Sequence, residues 1–289
     1  INVAGGMSAV VENAQSLPGY LTMHTTYDPV SGTEQPYPII SIISMIAWGL
    51  GYFGMPHILL RFMAIEDEEK LKLSRRVATG WVVISLAVAV LIGIIGLAMT
   101  AAGELIPLEG SASETIIVKI ADLMSRHGVL PALLAGTILA GILASTMSTA
   151  DSQLLAASSS VSSDLLGDFL KKKTGKKGAM FADRITLLII ALVAVFLARD
   201  PNSSVFNIVS FAWAGFGAVF GPVVLFALFW KRSNWQGALA GMISGGAMVF
   251  IWKYLVRPLG GAWDIYELLP AFLVSCAAII VVSLLTKAP

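Results

Sequence analysis

The chain has 289 residues, of which 56% are hydrophobic and 13% charged, with a mean hydropathy of +0.81; ordinary soluble domains carry about 25% charged residues. That balance excludes a water-soluble globule, and a net charge of +1 gives no reason for a nucleic-acid partner. One cysteine, Cys276, offers neither an intramolecular disulfide nor a thiol metal site.

Residues 1–36, with "SLPGY" and "YDPVSGTEQPYP", read as a loop. The chain opens on Ile1 without a charged and apolar leader pattern, so it is expected to be a piece of a longer protein. Seven apolar stretches follow, at about 37–63, 77–102, 129–162, 184–199, 205–230, 235–256 and 268–286. A helix needs about 20 such residues to cross a bilayer, so a lipid bilayer is the expected surrounding.

The first stretch is interrupted by "WGLGYFGMPH" at 48–57. Gly49, Gly51 and Gly54 each weaken a helix by about 1 kcal/mol relative to alanine, and Pro56 by about 3 kcal/mol. Such a break is either a proline kink with glycines for close packing, or a discontinuous span whose freed backbone faces a substrate or ion. Trp48 and Tyr52, four apart, share one face if the segment is helical, either as packing or an interfacial aromatic belt, or as walls of a site. Between the second and third stretches, Ile116, Ile117, Ile120 and Leu123 predict a short amphipathic helix, and "GSASE" before it offers capping chemistry.

The third stretch gathers nine hydroxyl or carboxyl side chains into the sixteen residues 145–160. Hydroxyls in a membrane helix can bond back to the carbonyl one turn earlier. The Ser145 carbonyl and the Ser148 and Thr149 hydroxyls, spaced three and four apart, nevertheless present three hard oxygens on one face, half a shell for sodium. Asp151 is the one acidic residue well inside a stretch; it is either a strut between helices or part of a site.

Loop charge orients the stretches, because cytoplasmic loops carry excess Lys and Arg. Arg61, Lys70, Lys72, Arg75, Arg76, the cluster 171–184, Lys231, Arg232 and Lys287 fall on one side, 14 of the 19 basic residues. That side is expected to be cytoplasmic, with the C-terminus on it and residues 1–36 and 103–128 outside. Phosphate-binding, zinc-protease and serine-hydrolase motifs are absent, and no enzymatic activity is expected.

"WGLGYFGMPHILLRFMA", "ILASTMSTADSQLLAASSSVSSDL" and "FAWAGFGAVFGPVVLFALFWKRSNWQGALAGMISG" resemble the sodium:solute symporters, and within them the sodium/proline branch. The resemblance implies an all-α polytopic membrane protein with the leucine-transporter type of inverted-repeat fold, of which this chain is the C-terminal part with about seven spans. On that basis residues 37–230 are the second repeat, with its first helix broken at about 48–57, and residues 231–289 are two peripheral helices. The implied activity is sodium-coupled symport of a small amino acid, L-proline, across the plasma membrane. Alternatives are another amino acid, a carboxylate or an osmolyte on the same fold, or the sensor module of a signalling protein. The resemblance assigns Ser145, Ser148 and Thr149 to co-transported sodium and Trp48, Gly51, Tyr52 and Pro56 to the solute, with Ser210 and Trp213 as further lining residues and Asp151 at the site's edge. The remaining sodium ligands are implied to lie in an N-terminal half outside the chain.

Overall fold

The computed structural model describes residues 4–28, 30–161, 176–199 and 204–287. The lysines at 171–173 and the end of the third apolar stretch lie outside them. Contacts divide the chain into two units, residues 1–86 with 205–289, and residues 87–204.

The protein is an all-α polytopic membrane protein. Six described helices are long and apolar enough to cross a membrane, and the pair Ile39–Gly54 and Pro56–Met63, bent by 57°, is a seventh where the two are counted as one span. In chain order the helices are α1 (Gly6–Ser16), α2 (Ile39–Ala47), α3 (Pro56–Met63), α4 (Lys70–Ala101), α5 (Ile116–Ser125), α6 (Val129–Ser159), α7 (Lys176–Leu197), α8 (Val205–Phe229), α9 (Trp235–Ile251) and α10 (Leu268–Leu285). Helix α4 begins seven residues and α7 eight residues before the expected apolar edges at 77 and 184. Hydropathy registers only the apolar part of a helix, whereas backbone hydrogen bonding continues through charged first turns.

Residues 1–36 hold more regular structure than their composition announces. Helix α1 buries Val10 and Ala14, four apart on one face. Strands β1 (Thr25–Asp28) and β2 (Thr33–Pro36) pair antiparallel, Thr25 opposite Pro36 and Asp28 opposite Thr33. The Asp28 carboxylate accepts the Val30 N–H at 2.9 Å and the Ser31 hydroxyl at 2.7 Å, which closes the turn.

In the unit of residues 87–204, the expected amphipathic helix is α5, and Ile116 packs so closely on α4 that a Cβ at Gly96 would stand 2.6 Å from its Cγ1. The "GSASE" stretch does not cap α5 through side chains. Thr115 is the N-cap, but its hydroxyl donates back to the Ala112 carbonyl and that of Ser113 to the Gly110 carbonyl, because residues 110–115 form a 3-10 turn with acceptors of its own.

In the other unit, small residues join α8, α9 and α10. Lipid is as apolar as any side chain, so helix pairing in a membrane depends on close backbone approach and hydrogen bonds. On α9, Gly237, Gly241 and Gly245 recur once per turn and lie against Ser283, Ile279 and Ser275 of α10. The buried Ser275 hydroxyl donates to the Gly241 carbonyl at 2.9 Å. At the start of α9, Asn234 caps the helix by accepting the Gly237 N–H at 2.9 Å.

Helix α8 carries Pro222 in its interior, and the missing N–H leaves the Ala218 carbonyl, four residues back, without its helical donor. Gly245 lies directly against that carbonyl, since a Cβ at this position would stand 2.5 Å from the oxygen. Substituting Gly245→Ala is therefore expected to destabilise the protein by about 1–3 kcal/mol through overpacking. Gly93→Ala on α4 meets nothing within 4 Å and should leave stability equal or slightly higher; the unfolding midpoints of the two purified variants check the contrast.

Candidate functional site

The interrupted span is built from the local chemistry of its residues. After α2, residues Trp48–Gly54 form a 3-10 helix, Met55 is extended at φ −84° and ψ 111°, and Pro56 opens α3 at its first position. A residue before proline is pushed towards extended backbone, and proline suits the first turn of a helix because no N–H is needed there. The Met55 carbonyl accepts the Ile58 and Leu59 N–H groups, both at 3.0 Å, and closes the start of α3. Pro56 thus acts through the backbone.

The 3-10 period changes which residues share a face. With three residues per turn, Trp48, Gly51 and Gly54 stack on one side, so Trp48 and Tyr52 do not share a face as they would on an α-helix. Gly51 and Gly54 are buried against α8. A Cβ at Gly54 would stand 2.2 Å from the Phe216 carbonyl oxygen, and one at Gly217 would stand 2.7 Å from the Gly51 Cα. At Gly51 it would meet the Trp213 Nε1 at 2.0 Å. Only glycine permits this backbone contact.

Trp213 reunites the two aromatic residues. Its Nε1 donates to the Trp48 carbonyl at 2.9 Å, its ring stacks on Trp48 at 5.6 Å and 18°, and Tyr52 meets it edge-on at 4.8 Å and 85°. Offset stacks and edge-to-face pairs both suit the ring quadrupoles. Trp48 also stacks on Phe206 at 5.6 Å and on Tyr266 at 5.7 Å. Ser210 joins through its backbone: its carbonyl accepts the Tyr266 hydroxyl at 2.6 Å, while its own hydroxyl turns back to the Asn207 carbonyl. Burial, with the Glu267 carboxylate beside it, raises the Tyr266 phenol above its ordinary pKa and keeps it a donor. Tyr52 remains half exposed.

The oxygen triplet lies on α6, in the other unit. The Ser148 hydroxyl is 3.1 Å and the Thr149 hydroxyl 3.3 Å from the Ser145 carbonyl oxygen, to which both donate. Thr146 and Ser152 likewise bond back to the carbonyls of Ile142 and Ser148. Helical back-bonding accounts for these hydroxyls, yet it also gathers three exposed oxygens around one point of the helix surface. Asp151 follows Ser148 by three residues and is exposed; among the described residues no hydrogen bond or ion pair reaches its carboxylate, so no strut between helices is seen there.

The model of the sodium:solute symporter family matches residues 1–245. The chain belongs to the sodium:solute symporter family. The osmoregulated proline transporter OpuE of Bacillus subtilis is 42% identical over 251 residues, 87% of this chain and 49% of the relative. The sodium/proline symporter of Escherichia coli is 41% identical over 253 residues, covering 86% of this chain and 48% of the relative. That of Haemophilus influenzae is 42% identical over 251 residues, again 86% and 49%. The chain thus spans about half the length of the curated relatives it matches. No solved structure matches it.

Two rings of the aromatic cluster in this symporter-family chain, Phe206 and Tyr266, escape sequence reasoning, as does Ser44, whose hydroxyl accepts the Tyr266 backbone N–H. Ser44 and Tyr266 are 222 positions apart, and only the pairing of α8 and α10 with the broken span brings them together. Replacing Trp213→Phe keeps a ring in place but removes the donor to the Trp48 carbonyl. The loss is expected to be about 1–3 kcal/mol of stability in the full-length protein, read from its unfolding midpoint, with Gly51→Ala at least as damaging because the added methyl displaces the same ring.

Proposed function

We propose that these residues belong to a sodium-coupled symporter that carries a small amino acid, L-proline, into the cell by alternating access. What carries the reading is the identity of 41–42%, over 86–87% of the chain, to relatives named as proline transporters. The geometry supports it in two respects, an aromatic wall beside interrupted backbone and an exposed triplet of hard oxygens.

The solute is read onto the first of these. Trp48, Tyr52 and Trp213 offer ring faces and edges to the apolar pyrrolidine ring, and a cationic amine is attracted to the same ring faces. Gly51 lets Trp213 reach the Trp48 carbonyl, and Pro56 sets the bend, so both shape the wall without offering a side-chain contact. The positive end of α3, opened at Met55, suits the solute carboxylate. Ser210 supports the wall from α8.

Sodium is read onto Ser145, Ser148 and Thr149. Binding exchanges the two hydroxyl-to-carbonyl hydrogen bonds for oxygen contacts to the cation, and hard oxygens without thiol or imidazole are the donors such an ion accepts. Three oxygens do not complete a shell. The matched relatives are about twice as long, which supports reading the remaining ligands onto chain outside these 289 residues. Asp151 then stands at the site's edge.

Coupling requires sodium and solute to favour the same conformation, since a ligand with equal affinity for two states shifts neither. Sodium entering first raises solute affinity, and the inward rearrangement releases both. Inward movement of one charge gains about 2.3 kcal/mol per 100 mV of membrane potential, enough to drive uptake against a gradient. Of the 19 basic residues, the 14 on one side support a cytoplasmic C-terminus.

Uptake of labelled proline by the full-length protein, driven by a sodium gradient at fixed pH, tests the reading against a panel of competing amino acids, carboxylates and osmolytes. Ser148→Ala and Thr149→Ala are each expected to raise the sodium concentration for half-maximal uptake about tenfold, equivalent to about 1.4 kcal/mol, at unchanged protein level. Unchanged sodium dependence in both variants removes the ion assignment.

A further inference from the structure

The segment joining α9 to α10, residues 252–267, enters none of the steps above, yet it ends on the aromatic wall. Tyr266 is 7% exposed. Its ring lies on Trp48 at 17° between planes, its hydroxyl donates to the Ser210 carbonyl at 2.6 Å, and its backbone N–H donates to Ser44 Oγ at 3.0 Å. Ser44 is on α2, one turn before Trp48, and Ser210 is on α8, one turn before Trp213. A single residue therefore touches the broken span, the helix packed against it, and the ring of the wall itself.

The segment is not a loose connection. Next to Tyr266, the Glu267 carboxylate is 1% exposed and accepts Arg257 Nη1 at 2.9 Å, with Lys253 Nζ at 3.8 Å. Arg257 also donates through Nε to Asp264 at 2.8 Å, and Trp252 Nε1 donates to the Ile265 carbonyl at 3.1 Å. Lys253 stands 3.9 Å above the Phe211 ring of α8. A buried carboxylate paired on both oxygens tolerates no slip of register, because any shift strands a charge away from water. The ion pairs fix the backbone from which Tyr266 projects.

We propose that Tyr266 is a positioning residue of the solute site: by clamping the Trp48 ring and tying α2 to α8 through Ser44 and Ser210, it sets solute affinity without touching the solute. The inference rests on Trp48 being a wall of that site. A ring already held in its bound orientation spares the binding step the cost of ordering it.

The test is proline uptake at saturating sodium by the full-length transporter, normalised to protein in the membrane. The variants are Tyr266→Phe, Tyr266→Leu, Ser44→Ala and Trp48→Ala. Tyr266→Leu, which loses both ring and hydroxyl, should raise KM for proline about tenfold with kcat nearly unchanged. Tyr266→Phe and Ser44→Ala, which each lose one hydrogen bond, should raise it about threefold. If Tyr266→Leu does not accumulate, the other two variants carry the measurement. Unchanged KM in the Tyr266 and Ser44 variants beside a raised KM in Trp48→Ala overturns the proposal and leaves the wall intact. So does a fall in kcat or protein level alone, which marks a purely structural segment. Unchanged KM in Trp48→Ala removes the wall reading instead.

Discussion

Backbone interrupted at membrane depth has to find its hydrogen bonds and its neighbours inside the protein, because hydrocarbon offers neither. The bend between Gly54 and Pro56 meets that constraint through α8. Gly51, Gly54 and Gly217 let the two backbones touch, and the Trp213 indole supplies a donor to the Trp48 carbonyl. The aromatic wall follows from the same contact, since the donor that satisfies the break is also the ring that Trp48 and Tyr52 pack against.

The same constraint recurs one layer away. Pro222 frees a carbonyl on α8, Gly245 brings α9 over it, and the remaining glycines of α9 seat Ser275, Ile279 and Ser283 of α10. Serine hydroxyls close the polar gaps, with Ser275 donating to α9. A membrane protein without a hydrophobic drive between helices is held here by glycine contacts and side-chain donors. The segment that links α9 and α10 then returns Tyr266 to the wall, so packing between helices and the order of the wall are not separate matters.

Much of this was legible in the sequence because it depends on composition along a line. Apolar length marks the spans, "WGLGYFGMPH" marks the interruption, and helical spacing groups Ser145, Ser148 and Thr149. Charged turns hid the starts of α4 and α7, since hydropathy falls before helicity does. The 3-10 geometry of residues 48–54 was not legible, because helix propensities do not distinguish it from an α-helix with glycines. It matters, since it turns Gly51 and Gly54 rather than Tyr52 to the side of Trp48. Residues 1–36 concealed a helix and a hairpin under loop-like composition. Tyr266 and Ser44 were invisible for another reason: they meet across 222 positions, where no local pattern points. The spacing of Gly237, Gly241 and Gly245, by contrast, is a local signal that announces a helix-packing face.

In the proposed symporter the interrupted backbone lines a wet path taken by the solute. Gly49 lies on the 3-10 segment, is exposed, and has nothing within 4 Å of a Cβ built on it, so a cysteine there should fit. The direct measurement is the rate at which Gly49→Cys, in an otherwise cysteine-free full-length protein, reacts with a membrane-impermeant maleimide. Ready labelling is expected, slowing when sodium and proline are present together and recovering when choline replaces sodium. Absence of labelling, or one rate under all conditions, would contradict it.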